Sequence, residues 1–291
     1  MKEPLLHVMI PSYGRSPYLH DTLQSACKNL TSDTLITVLE DPSDEDSIQK
    51  TVQNFLPRVE YIKNKSRLGV AGNFNMCLKE SKGLYTQIIG HDDLVVRDPT
   101  NKIFEFRAME DSVTAGIIFS NEIINEQRLI HRLTDFSKLL IRPRLKEEQY
   151  INPTKLLESI MIGYWAYFPA IVWKSSTMQK FTFDSRFESA MDLKMLIDLS
   201  IAKFKFIYSK DKIVTYRRHN QSVSSLNAIY GGRLKEEIEC HTTVYLFAKK
   251  NRLYRLAFFS KLALFVRLNS GVSRLIRFMQ YRRNFKVREH D

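Results

Sequence analysis

Gln87-Ile88-Ile89-Gly90-His91-Asp92-Asp93-Leu94 is a β-branched apolar run that stops at two adjacent carboxylates. In an open α/β sheet, ligands bind at the carboxyl ends of the strands. Side-by-side acids repel each other, so a fold keeps them there most readily when a divalent cation or its phosphates share the charge. An acidic turn leading out of a strand is the plain alternative, and the octapeptide alone leaves both open.

Three further stretches fall where the same chemistry would need them. Val8-Met9-Ile10-Pro11-Ser12-Tyr13-Gly14-Arg15 is an apolar strand entering a turn, followed by Ser16-Pro17, the pattern of a helix N-cap with proline in the first helical position. Leu35-Ile36-Thr37-Val38-Leu39 is another buried-type strand, closed by Glu40-Asp41-Pro42-Ser43. Phe183-Asp184-Ser185-Arg186-Phe187-Glu188-Ser189-Ala190-Met191-Asp192 precedes Leu193, Leu196, Ile197 and Leu199 at helical spacing.

With these motifs, Gly69-Val70-Ala71-Gly72-Asn73-Phe74-Asn75 and Tyr216-Arg217-Arg218-His219-Asn220-Gln221-Ser222, the sequence resembles glycosyltransferase family 2 over roughly residues 5 to 225. The resemblance implies a GT-A fold, a Rossmann-like α/β architecture whose mostly parallel sheet is flanked by helices. It implies metal-dependent, inverting hexosyl transfer from a UDP-, dTDP- or GDP-sugar to a glycan or lipid-linked acceptor in surface polysaccharide synthesis, with Mg²⁺ or Mn²⁺ as cofactor. Asp41 would hold the base, Asp92 the ribose, Asp93 the metal, and Asp192 would be the catalytic base. Pro11, Tyr13 and Arg15 fall on the nucleotide side, and His219 near the diphosphate and the metal. Met76 and Met191 depart from the pattern, standing where related sequences often carry Arg and an acid.

Read from their own chemistry, these residues keep other possibilities. Ser189-x-x-Asp192 also has capping spacing, and an acid in a first helical turn is favoured by the macrodipole. Glu40-Asp41 could be an acidic turn, while Arg67, just before Gly69, could reach a phosphate or simply be solvated. Tyr164-Trp165 could stack on the faces of acceptor sugars or be core.

The chain has 291 residues, 44% apolar and 26% charged, which marks a globular protein with a sizeable core. Cys27, Cys77 and Cys240 are odd in number and widely spaced, which argues for a reducing compartment and against a zinc or disulfide framework. Met1-Lys2-Glu3-Pro4 leads into a strand without a signal-peptide core, so a cytoplasmic location is expected. Strands are expected at 6–10, 35–39, 59–63, 85–89 and 115–120, with further strands around Tyr167–Trp173 and Phe204–Tyr216. Helices should open near Ser43-Asp44-Glu45-Asp46 and at Asp98-Pro99, and the polar stretch 121–150 reads as a mobile loop.

This organisation gives a catalytic domain over 1–228, with a nucleotide half to about 120 and an acceptor half beyond, and a helical basic extension over 229–291. From residue 249 onward twelve basic side chains face two acids, a net +10 that leaves +2 for residues 1–248. A basic amphipathic segment of this kind can lie on an anionic membrane surface, here the inner face of the cell membrane, or pack on the sheet with a solvated basic face. Nucleic acid is not expected as a partner, because the basic residues crowd the extension without aromatic interleaving on a binding domain. A sugar nucleotidyltransferase would need a glycine-rich phosphate loop after the first strand, which Pro11-Ser12-Tyr13-Gly14-Arg15 does not supply.

Overall fold

A computed structural model describes residues 3–125, 149–218 and 232–265. Its frame is a nine-stranded sheet in the order β3-β2-β1-β4-β8-β6-β9-β5, with β7 paired to β9. The strands are β1 Leu6–Tyr13, β2 Leu35–Asp41, β3 Glu60–Lys63, β4 Tyr85–Ile88, β5 Leu94–Val95, β6 Thr114–Asn125, β7 Tyr150–Ile151, β8 Ile171–Lys174 and β9 Lys205–Arg218. Strands β3, β2, β1 and β4 run parallel, β8 is antiparallel to both β4 and β6, and β6 runs parallel to β9. The carboxyl ends of β1, β2, β4, β6 and β9 therefore share one edge, where β8 begins.

Alternation along the central strands separates two cores. Leu6, Val8 and Ile10 of β1 face a cluster with Leu19, Leu23 and Ala26 of α1 (Leu19–Asn29), Ile48 and Val52 of α2 (Ser47–Gln53), and Ile103 and Phe106 of α4 (Thr100–Arg107). Met9 faces the opposite cluster, built with α3 (Gly69–Glu80), α5 (Pro153–Ile162) and α7 (Met191–Ile201) around Trp173 and Phe183. A short helix, α6, spans Ser175–Met178.

Several boundaries differ from the sequence expectation. Ser16-Pro17 does not open a helix: α1 begins at Leu19 with no side-chain cap, and the Ser16 hydroxyl donates to the His91 carbonyl at 3.3 Å, tying the β1 loop to the acid pair. Residues 121–125 are strand, because β6 continues alongside β9 as far as Asn125 opposite Arg218; the rest of the expected loop, 126–148, lies outside the described residues. The Asp98 cap does form, its carboxylate accepting from the Thr100 N–H at 2.8 Å and the Thr31 N–H at 2.6 Å.

The extension is part of the body over its described length. Helix α8 (Gly232–Lys250) buries Cys240, Val244 and Ala248, and α9 (residues 254–265) buries Leu256, Ser260 and Ala263. Cys240, Val244, Ala248 and Leu256 belong to the cluster that holds Trp173.

Candidate active site

The acid pair sits in the turn after β4, where Gly90 N–H donates to Asp93 Oδ2 at 3.0 Å. The backbone N–H of Arg217, near the end of β9, donates to Asp93 Oδ1 at 3.2 Å. Asp93 is only 2% exposed. Burial first, and the Asp92 charge beside it second, push its carboxyl well above the usual carboxylate range, although the two backbone donors and the Arg217 guanidinium pull the other way. Arg217 closes the pair from outside: its Nε donates to the Asp92 carbonyl at 3.1 Å, and its guanidinium lies 4.5 Å over the Tyr18 ring and 3.4 Å from Asp21.

Space beside the acids depends on Gly90. A Cβ there would collide with Asp92 Oδ1 and come within 2.8 Å of Asp93 Oδ2, so only glycine leaves both carboxylates this close to the backbone. Among the described residues no group of three or more His, Cys, Asp or Glu side chains gathers as a ligand set. A buried carboxylate beside a half-buried one nonetheless fits a hard divalent cation that takes its remaining ligands from phosphate and water, the usual habit of Mg²⁺.

Asp41 ends β2 level with Tyr13 of β1. Its oxygens accept from the backbone N–H groups of Leu68 at 2.8 Å and Gly69 at 2.9 Å, and from Asn64 Nδ2 at 3.3 Å. Gly69, at φ +74°, supplies the left-handed turn that starts α3 on this carboxylate. Arg67, in the same turn, places its guanidinium 4.5 Å above the Tyr13 ring. Tyr13, Arg15 and Arg67 are exposed around this strand end, and Pro11 is buried within β1. Neighbouring Glu40 is buried and accepts from the Tyr61 hydroxyl.

Asp192 occupies the first turn of α7. The Tyr164 hydroxyl donates to its Oδ2 at 2.7 Å and the Leu193 N–H to its Oδ1 at 2.8 Å. Burial raises its carboxyl above the usual range, opposed by the Tyr164 hydrogen bond, the Leu193 N–H and the positive charge of Arg233. The N-cap residue of α7 is Ala190, which makes no side-chain cap hydrogen bond. Glu236 of α8 holds the loop that leads into this helix, its carboxylate accepting from the N–H groups of Glu188 at 3.0 Å, Ser189 at 2.9 Å and Ala190 at 2.8 Å. Arg233, one turn earlier on α8, pairs with Glu237 at 2.9 Å and lies in the fields of both Asp192 and Tyr216.

The aromatic pair expected to stack on sugars divides. Tyr164 serves Asp192 through its hydroxyl, whereas Trp165 is core, buried with its Nε1 on Ser159 Oγ at 3.0 Å and packed edge-on to Tyr208. His219 lies outside the described residues, although Tyr216 and Arg217 of the same run stand at the shared edge. Sequence reasoning missed Glu236, Arg233 and the closing role of Arg217. For Arg217 the signal was present in the Tyr216-Arg217-Arg218-His219 run; for the α8 pair there was none, because their partners are over forty residues away, as with Glu236 and Ser189 at a separation of 47.

A model of the family described as Glycosyl transferase family 2 matches residues 7–172. An uncharacterized glycosyltransferase of Methanocaldococcus jannaschii is 22% identical over 225 residues, 76% of this chain and 73% of the relative. An Escherichia coli enzyme named UDP-Glc:alpha-D-GlcNAc-diphosphoundecaprenol beta-1,3-glucosyltransferase is 22% identical over 147 residues, 50% of this chain and 57% of its own. Among solved structures, a mannosyltransferase of Pyrobaculum calidifontis in complex with GDP-Man and Mn²⁺ superposes with a TM-score of 0.58 at 13% identity, over 94% of this chain and 75% of that one. At that identity the likeness establishes the GT-A fold.

Proposed function

The chain belongs to glycosyl transferase family 2, and from that premise we propose that it moves one sugar from a nucleoside-diphosphate donor to a hydroxyl of a glycan or lipid-linked acceptor, with inversion and with Mg²⁺ or Mn²⁺ as cofactor. The observation that supports this reading is that two acids with raised carboxyls, Asp93 and Asp192, are linked through the Tyr216–Arg217 end of β9. Arg217 donates to Asp93, its neighbour Tyr216 lies in the field of Arg233, and Arg233 lies in that of Asp192. The relatives' printed donors, UDP-Glc and GDP-Man, support a nucleotide sugar without choosing one.

A cation at Asp92 and Asp93 would act as a Lewis acid toward the leaving diphosphate. On the nucleotide side, Tyr13 with Arg67 stacked on it forms one wall, Arg15 adds positive charge beside it, and Asp41 sets the Leu68–Gly69 turn while offering its remaining lone pairs to a base N–H. Asp92 reaches the ribose hydroxyls. His219 would join the diphosphate side with Arg217.

Asp192 accepts the acceptor proton as the hydroxyl oxygen bonds to the anomeric carbon. The bond from that carbon to the diphosphate oxygen breaks, and its electron pair leaves with the nucleoside diphosphate. A base works best when its pKa lies near the working pH, which burial moves Asp192 toward. Tyr164 and the Leu193 N–H hold the carboxylate, and Glu236 holds the loop beneath it. The acceptor in this reading is a surface-polysaccharide precursor handled on the cytoplasmic side.

The test is a panel of UDP-, dTDP- and GDP-sugars screened for Mn²⁺-dependent thermal stabilisation, since a ligand bound only by the native state raises its stability. The donor that stabilises is then offered with glycan and lipid-linked acceptors, and the product's anomeric configuration is read by NMR. Inverted linkage is expected. Retained configuration, or no stabilisation by any nucleotide sugar, overturns the reading.

A further inference from the structure

Helix α9 is apolar on both sides. Its inner face, Leu256, Ser260 and Ala263, is buried on the body. Its outer face presents Tyr254 at 79% exposure, Phe258 at 63% and Phe265 at 62%. At 100° per residue these three aromatics fall within about 40° of one another, opposite Leu256. A helix that merely packs on a sheet carries polar residues on its outer side, and three aromatics there mark a contact surface.

Positive charge surrounds this face. Lys261 follows the stripe on one side and Arg255, paired with Glu158 at 3.2 Å, on the other. Between α8 and α9 runs a groove of about 320 Å³ whose walls include Tyr245, Tyr254, Ala257 and Phe258 and whose rim carries Lys249, Arg252 and Lys261. All three rim cations are exposed. Aromatic rings flanked by lysine and arginine match the boundary between headgroup phosphates and acyl chains, where rings settle among the glycerol groups and cations pair with phosphate.

No helix of the described residues is long and apolar enough to cross a membrane. We propose that the outer face of α9 with the basic α8–α9 groove docks the protein in the plane of a bilayer that contains anionic lipid. The occupant is a lipid surface and not a second copy of the chain, because net positive charge of +10 beyond residue 248 disfavours self-association through this region and favours phosphate. Docking here lies away from Asp192: Arg233 and Glu236, which serve it, sit at the far end of α8, and its 19 residues span about 28 Å.

Full-length protein is sedimented with vesicles of phosphatidylcholine alone and of phosphatidylcholine mixed with phosphatidylglycerol, at low and high salt. Binding is expected only to the anionic vesicles and should weaken as salt rises. The triple variant Tyr254→Ser, Phe258→Ser, Phe265→Ser, with an unchanged circular dichroism spectrum, should lower the partition coefficient by at least about tenfold, since it removes the apolar area that enters the interface. As a second measurement, the emission added by Phe258→Trp should shift to the blue on adding anionic vesicles and be quenched by brominated lipid. Wild-type affinity in the triple variant would assign binding to residues 266–291 and overturn the proposal. So would an indole already blue-shifted without lipid, whether a second copy or the chain's own C-terminal segment covers the face. These readouts need no donor or acceptor, so they stand or fall apart from the transfer reaction.

Discussion

Asp41 ends β2 and Asp93 follows β4, the two strands that flank β1, and each is 2% exposed. Their surroundings differ in kind. Asp41 receives the first N–H groups of α3 together with Asn64, so donors at a helix start meet its charge. Asp93 receives two backbone donors but has another carboxylate as its neighbour, and its carboxyl is driven upward. Equal burial therefore says little about what a strand-end acid does. The first carboxylate is already met by donors of the fold, and the second, in the proposed reading, is one that a cation would relieve. Asp192 sides with Asp93 in having a raised carboxyl, though it is half-buried and steadied by the Tyr164 hydroxyl.

Substitutions can separate the two kinds of acid. The largest expected effect is on turnover: Asp192→Asn should lower transfer by at least about a hundredfold, the usual scale for a lost general base, while leaving the melting temperature and donor affinity near wild type. Steady-state kinetics with donor titration checks it, and an active Asn variant would move Asp192 into Asp41's class. Next comes Asp41→Ala, which should cost about 2–4 kcal/mol in chemical denaturation because two helix-start N–H groups lose their acceptor. A loss of nucleotide affinity with unchanged stability would put Asp41 with Asp93.

Smaller effects probe how Asp192 is held. Glu236→Gln weakens the hold on the loop that leads into α7 and should lower kcat by about tenfold, the order expected from slight misplacement of a catalytic group, with donor KM unchanged. Equal losses in both parameters would make Glu236 a general stabiliser. The smallest is a displacement of the pH profile. With a raised carboxyl as base, transfer falls as the medium is acidified through that raised value, above the range of an ordinary aspartate. The Tyr164 hydrogen bond lowers the Asp192 value, so Tyr164→Phe should move the acid limb to still higher pH. A shift toward lower pH would contradict the assigned hydrogen bond.

What the sequence made legible was local. β-Branched runs closed by acids located β2 and β4 with Asp41, Asp92 and Asp93, because strand and terminus are adjacent in the chain. The apolar spacing after Asp192 located α7 for the same reason. Chemistry carried by distant pairs stayed hidden. Nothing in the stretch near Ser189 announces that Glu236 will hold it, nor does Arg217 show that its N–H will meet Asp93 across 124 residues. The two faces of the extension stayed hidden as well: Leu256 turns to the body, whereas Phe258 and Phe265 turn outward. Trp165 lies inside the core, where Ser159, six residues earlier, satisfies its indole N–H.

The most direct test is calorimetric titration of UDP and GDP into wild type, Asp93→Asn and Asp192→Asn, each with and without Mn²⁺. Wild type and Asp192→Asn should bind one of the two nucleotides in a Mn²⁺-dependent manner, and the folded Asp93→Asn protein should lose that dependence. If Asp93→Asn binds the nucleotide as wild type does, with the same response to Mn²⁺, the strand-end acid pair is not the donor's cation site.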